Sequence, residues 1–121
     1  MKSLLKVLTL IALLFAQISY AHADAASDMK NAIKKGNIEK VQEILSSGFD
    51  VNAKITGSKS TPLIVAAAHP KSKTPEIMKL LITAGADLNY RNNKGKSALS
   101  YAKGNNSRTI INLLKEAGAK N

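Results

Sequence analysis

Gly85-Ala86-Asp87-Leu88-Asn89 matches Gly48-Phe49-Asp50-Val51-Asn52 in type and order at a distance of 37 residues, and Gly118-Ala119 opens the same run again 33 residues further on. A second landmark keeps step with the first. Thr61-Pro62-Leu63 and Ser97-Ala98-Leu99 stand 36 residues apart, and Ser27-Asp28-Met29 occupies the same place ahead of the first unit. Landmarks recurring at one period signal a repeat architecture, in which each unit is a supersecondary element too small to bury its own apolar face. The chain divides into three units, at about 27–60, 61–96 and 97–121.

Each unit reads as a short helix, a tight turn, a longer helix and an extended loop. In the first, Ser27 is expected to cap a helix carrying Met29, Ala32 and Ile33 on one face, and Gly36 permits a left-handed stop. Asn37 then caps a second helix with Ile38, Val41, Ile44 and Leu45 at spacings of three and four, closed by Gly48. The second unit has Thr61 as cap, Pro62 at the first helical position and the small run Ala66-Ala67-Ala68, which lets paired helices approach closely. Thr74 followed by Pro75 is expected to cap its second helix, whose stripe is Ile77, Leu80 and Leu81 up to Gly85. The third unit runs from Ser97 through Leu99 and Ala102, then Ser107 as cap and a stripe of Ile110, Ile111, Leu113 and Leu114. Asn106 stands where Gly36 stood, and Asn tolerates the same left-handed backbone. The longer spacing between the first two units comes from extra residues within His69–Lys73 and in the loop between Asn52 and Thr61. The fold class is therefore all-α.

These units resemble ankyrin repeats: Thr61-Pro62-Leu63 followed by Ala66-Ala67, and the Gly-Ala-Asp-Leu-Asn run at 85–89, match that family's most recognisable positions. The resemblance covers essentially all of residues 24–121 and implies a short solenoid of three helix-turn-helix units joined by hairpin-like loops. The histidine that usually follows Thr-Pro-Leu is Ile64 here and Ser100 in the next unit, and Ala98 replaces the proline. Those departures bear on hydrogen bonding at the helix starts rather than on the fold.

Residues 1–23 read as a cleavable leader. Lys2 and Lys6 form a positive start, Val7 to Ala16 is apolar except for Thr9, and Ala21-His22-Ala23 offers the small side chains a signal peptidase needs. The uncharged run from Val7 to Ala21 has 15 residues, short of the roughly 20 that span a bilayer. No cysteine follows it, so no lipoprotein anchor is expected. The exported form would be periplasmic or secreted, without a stable membrane anchor.

Composition narrows the function classes. With no cysteine, disulfides, thiolate metal sites and thiol nucleophiles are excluded. Only 4% of residues are aromatic and none is Trp, so the core must be built of close-packed Leu, Ile, Val and Ala. Beyond residue 23 there is one histidine, His69, and only scattered carboxylates, too little to assemble a catalytic set. No enzyme, metal or cofactor is expected, and Asp50 and Asp87, at equivalent repeat positions, are expected to serve the loop turns. Removing Lys2 and Lys6 leaves 16 Lys+Arg against 8 Asp+Glu, a surplus that favours encounters with anionic partners and is screened by salt.

The resemblance implies that partners lie against the loop tips and the first helix of each unit. Carried over position by position, the family's variable surface sites fall on Lys34 and Lys35, on Lys54, Ser58, Ser60, Ala68 and His69, and on Arg91, Asn93, Lys94, Lys96 and Lys103. Seven of these twelve are basic and none is acidic. Tyr90, beside Arg91, is either an aromatic anchor or loop packing. The reading is a monomeric binding protein that docks an acidic patch of a partner protein on a basic concave face. The alternative is electrostatic binding to an anionic envelope polymer or membrane surface. Nucleic acid is not expected, because the leader directs the chain out of the cytoplasm.

Overall fold

The computed structural model describes residues 25–120, so the expected leader lies outside the described residues. Six helices run through them and no strand is present among the described residues: α1 over residues 25–35, α2 (Ile38–Ser46), α3 (Pro62–Ala68), α4 (Thr74–Thr83), α5 (Ala98–Gly104) and α6 (Arg108–Glu116). α3 packs against α5 and against its own partner α4, α5 packs against α6, and α2, α4 and α6 adjoin in chain order. The first helices α1, α3 and α5 and the second helices α2, α4 and α6 thus form two layers, with the loops 49–61 and 86–97 returning the chain from one to the other. The expected short-then-long order holds in units two and three, whereas α1 is longer than α2.

The core follows from the composition. Met29, Ala32, Ile33, Val41, Ile44, Leu63, Ile77, Met78, Leu81, Leu99, Ile110 and Leu114 form one continuous cluster, with the aromatics Phe49, Tyr90 and Tyr101 only partly buried at its margin. α3 is apolar all round and every residue from Pro62 to Ala67 is buried, as a helix with neighbours on several sides must be. α2 and α6 keep polar outer faces, with Gln42 and Glu43 on one and Arg108, Asn112 and Lys115 on the other exposed.

Helix ends are closed by one recurring device. At Gly36, φ is +69°; its N–H donates to Ile33 O at 3.1 Å and the N–H of Asn37 donates to Ala32 O at 2.9 Å. This pair of bonds satisfies carbonyls the last turn would otherwise leave open. Gly85 does the same for α4, bonding Ile82 O while Ala86 bonds Leu81 O. Asn106, at φ +54°, takes the place of glycine after α5, as the sequence suggests.

Helix starts are less uniform. Asn37 caps α2 by accepting from the Lys40 N–H at 3.1 Å, and Ser97 forms a reciprocal capping box with Ser100. Ser27 does not cap: α1 already runs through residues 25 and 26, which leaves Ser27 inside the helix. Thr74 is likewise the first residue of α4 with Lys73 at the cap position, and its hydroxyl accepts from the Lys71 N–H at 2.6 Å. Ser107 stands at its cap position without a capping bond. Thr61 also makes none, and its Oγ1 is buried without a partner. Ile64, where the family usually has histidine, has no polar group with which to answer it.

Neighbouring units are also joined by side-chain rungs at the loop base. Asn52 donates from Nδ2 to Gly85 O at 3.1 Å and accepts from the Asp87 N–H at 2.7 Å, and Asn89 accepts from the Lys120 N–H at 2.8 Å. The two aspartates fold the turns that present these asparagines: Asp50 accepts from the Asn52 N–H at 2.9 Å and Asp87 from the Asn89 N–H at 3.0 Å.

The contrast between two helix starts is testable by urea denaturation. Ser97→Ala should cost about 1 kcal/mol through loss of its cap. Thr61→Val removes a buried hydroxyl that satisfies nothing and should leave stability unchanged or raise it by up to about 1 kcal/mol. An equal loss from both substitutions would contradict the assignment of Thr61 as unpartnered.

Candidate partner-binding surfaces

The two long loops are each folded by their own backbone. In the first, the Ile55 N–H donates to Ser60 O at 2.9 Å and the Lys59 N–H to Thr56 O at 3.0 Å; in the second, the Asn92 N–H donates to Lys96 O at 3.0 Å and the Gly95 N–H to Asn92 O at 2.9 Å. They are then locked to one another. The Asn93 N–H donates to Ser58 O at 2.9 Å, the Tyr90 hydroxyl donates to Lys59 O at 2.9 Å, and Asn92 Nδ2 donates to Ser60 Oγ at 3.0 Å.

Asn92 is the hub. It is buried, its Nδ2 also reaches the Tyr101 hydroxyl at 3.1 Å, and its Oδ1 accepts from the N–H groups of Lys94 and Lys96 at 3.0 and 3.1 Å. All its side-chain hydrogen-bonding capacity is used. A saturated buried amide of this kind holds two loops in one arrangement before any partner arrives.

Around this hub, Lys54, Arg91, Asn93, Lys94 and Lys96 are exposed. The Lys54 ammonium lies 5.8 Å from the centre of the half-buried Tyr90 ring, within cation–π range. Tyr90 therefore performs loop packing through both its hydroxyl and its ring face. Arg91 Nη1 donates to Gly95 O at 2.9 Å, which steadies the guanidinium over its own loop. Lys59, which the sequence did not single out, joins them at φ +57°, a backbone region costly for a side-chain-bearing residue. Ser60 leaves the group: it is buried beneath Asn92 and cannot meet a partner. Ser58 is half-buried in the same hydroxyl cluster, 3.0 Å from Thr56 Oγ1 and 3.1 Å from Ser60 Oγ.

The remaining candidates lie at the other end of the short helices. Lys34 and Lys35 end α1, Ala68 and His69 end α3, and Lys103 lies in the last turn of α5, all exposed except the half-buried Ala68. The seven residues of α3 and of α5 set His69 and Lys103 about 10 Å from the loops, and Lys34 and Lys35 stand at the end of the longer α1. The exposed candidates therefore form two groups, one on the interlocked loops and one at the helix turns. Asn105 fastens the turns of units two and three by donating to Ala67 O at 3.1 Å. The imidazole of His69 titrates below its ordinary 6.5, first because of partial burial and then because of Lys34 and Lys71 nearby. No group of three or more His, Cys, Asp or Glu able to hold a metal ion exists among the described residues, nor a helix long and apolar enough to cross a membrane.

This architecture is matched by the family described as ankyrin repeats in three copies, over residues 29–121, and the chain belongs to that family. It is 37% identical over 73 residues to a putative ankyrin repeat protein of fowlpox virus, covering 60% of this chain and 17% of the relative. It is 34% identical over 94 residues to a putative ankyrin repeat protein of Rickettsia bellii, covering 73% and 54% respectively. A third relative is the phosphocholine transferase AnkX of Legionella pneumophila, 28% identical over 92 residues, 74% of this chain but 9% of that protein. The chain thus spans from under a tenth to about half the length of these relatives, and the shared part is the interaction scaffold.

The position of His69 has a consequence for acid stability. The unfolded chain takes up the imidazole proton near 6.5, whereas the native protein takes it up only at lower pH. The unfolded state therefore binds more protons in that window, so stability is full above 6.5 and declines modestly as pH falls through 6.5 toward the native value. His69→Gln should flatten this acid-side decline in urea midpoints measured across the window; an unchanged slope would assign it to other groups.

Proposed function

We propose that the chain is an exported ankyrin-repeat binding protein that captures a partner protein through an acidic patch laid on the interlocked loops. The carrying observation is the pairing of rigidity with one sign of charge. Residues 53–60 and 90–97 hold Lys54, Lys59, Arg91, Lys94 and Lys96 and no acid, on two loops tied together through Asn92, Tyr90 and Asn93. Ordering those loops is done in the folding of the protein and not at binding, which removes part of the entropic cost of association. Complementary charge then steers the encounter.

The ankyrin scaffold serves protein–protein interaction, and a single histidine beyond residue 23 with scattered carboxylates supports reading the chain as a binder. Export through the leader at residues 1–23, a periplasmic or secreted location and a monomeric state complete the proposal. The leader reading rests on Lys2, Lys6, the apolar run and Ala21-His22-Ala23.

Substituting Arg91→Glu, Lys94→Glu and Lys96→Glu together should slow partner association on the order of tenfold or more, and partner capture from a native extract should fall accordingly. Circular dichroism should show the helices intact. Capture at the parental level by the folded triple variant would remove the loop face from the proposal.

A further inference from the structure

Lys71 and Lys73 belong to neither group described so far. They lie in the segment that unit two carries between α3 and α4, where units one and three turn through the left-handed residues Gly36 and Asn106. This segment lies over the turn of unit one: a methyl group added at Gly36 would sit 3.6 Å from Lys73 Cβ and 3.9 Å from Lys71 Cβ. Gly36 directly follows Lys34 and Lys35, so two units bring four lysines together around the His69–Lys73 segment. All four are exposed, and none is in an ion pair among the described residues. The acids closest along the chain, Glu39 and Glu76, stand in the first turns of α2 and α4 and pair with none of them. The titration of His69 is lowered first by its partial burial and then by Lys34 and Lys71, which places both lysines near the imidazole.

We propose that this cluster of Lys34, Lys35, Lys71 and Lys73 is a second binding surface, which holds a soluble phosphate-rich polyanion by charge alone. Three features of the surface select that partner. Protein interfaces concentrate aromatic residues, Met and Arg, and the loop face supplies Tyr90 and Arg91, whereas the exposed side chains here, Lys34, Lys35, His69, Lys71, Ser72 and Lys73 with Pro70, include none of these types. A membrane-surface site adds Trp, Phe or Leu side chains that enter the headgroup boundary, and the exposed residues of this cluster include no aromatic or large aliphatic side chain. Lysine ammonium groups act as hydrated point charges on flexible stems, suited to a chain of repeated charges whose counterions are released on contact. The surface stands about one short helix length, roughly 10 Å, from the loop face. It does not rest on the reading of that face as a protein dock.

The test is a charge-matched pair of variants of the purified chain, titrated with long-chain inorganic polyphosphate at several salt concentrations. One variant carries Lys34→Gln, Lys35→Gln, Lys71→Gln and Lys73→Gln; the other carries Lys54→Gln, Arg91→Gln, Lys94→Gln and Lys96→Gln. The parent should bind with affinity falling as roughly the third power of salt concentration, from about 0.7 per phosphate neutralised, and the His69 ring signals should move on binding. The turn variant should lose on the order of tenfold or more in affinity with a shallower salt dependence, and the loop variant should retain parental binding. Equal losses in both variants would show a response to net charge only and overturn the proposal. So would parental binding by the turn variant, or binding to phosphatidylglycerol vesicles with no binding to polyphosphate.

Discussion

Everything in this chain depends on covering α3. Its residues from Pro62 to Ala67 are all buried, and a helix that is apolar all round has no stable existence in water unless neighbours cover it on several sides. α4 covers one flank and α5 another, while α1 contributes Met29, Ala32 and Ile33 to the same cluster. Each fully buried Leu or Ile contributes roughly 1.5–3 kcal/mol against exposure, so the middle unit stabilises the outer two as much as they stabilise it. Polar outer faces on α2 and α6 are tolerable because those helices need only one apolar side. The loops inherit their positions from the same stack, since the asparagine rungs form only when successive units are in register.

Much of this was legible in the residues themselves. Gly36, Gly85 and Asn106 were readable as stops because few residue types accept a left-handed backbone, and each does close a helix. The helix starts were harder. Ser27 looked like a cap because an apolar stripe begins just after it, yet periodicity cannot show how far a helix extends on its polar side. Thr74 before Pro75 fits the usual cap-then-proline order, but the longer connection in unit two lets Thr74 enter the helix and bond back to Lys71. The loss of histidine at position 64 is visible in the sequence; that the Thr61 hydroxyl is buried without a partner is seen only in the structure.

The candidate surfaces were legible as residue types and not as places. That the exposed positions are basic follows from the repeat alignment alone. Their division into a loop group and a turn group follows from helix length and from which turns touch. Carrying over the family's variable positions places Ser60 on the surface, and it is instead the acceptor under a buried amide. Asn92 gave no signal of its own, since one asparagine among Asn92 and Asn93 is indistinguishable from the other until the loops are paired. Nothing in the linear order sets Lys71 and Lys73 apart, because it does not show that their segment lies over Gly36.

The rungs at the loop base carry a consequence for how such a chain changes over generations. Asn52 and Asn89 grip main-chain atoms of the following unit, the carbonyl of Gly85 and the amides of Asp87 and Lys120, and never a side chain. A joint that reads only backbone is indifferent to the residues of the module it holds. Lys120 fills the position that Asp87 fills one unit earlier, and the bond is made all the same. Modules can therefore be duplicated, exchanged or diversified at their tips without renegotiating the seam between them, which leaves the exposed positions open to selection for new partners.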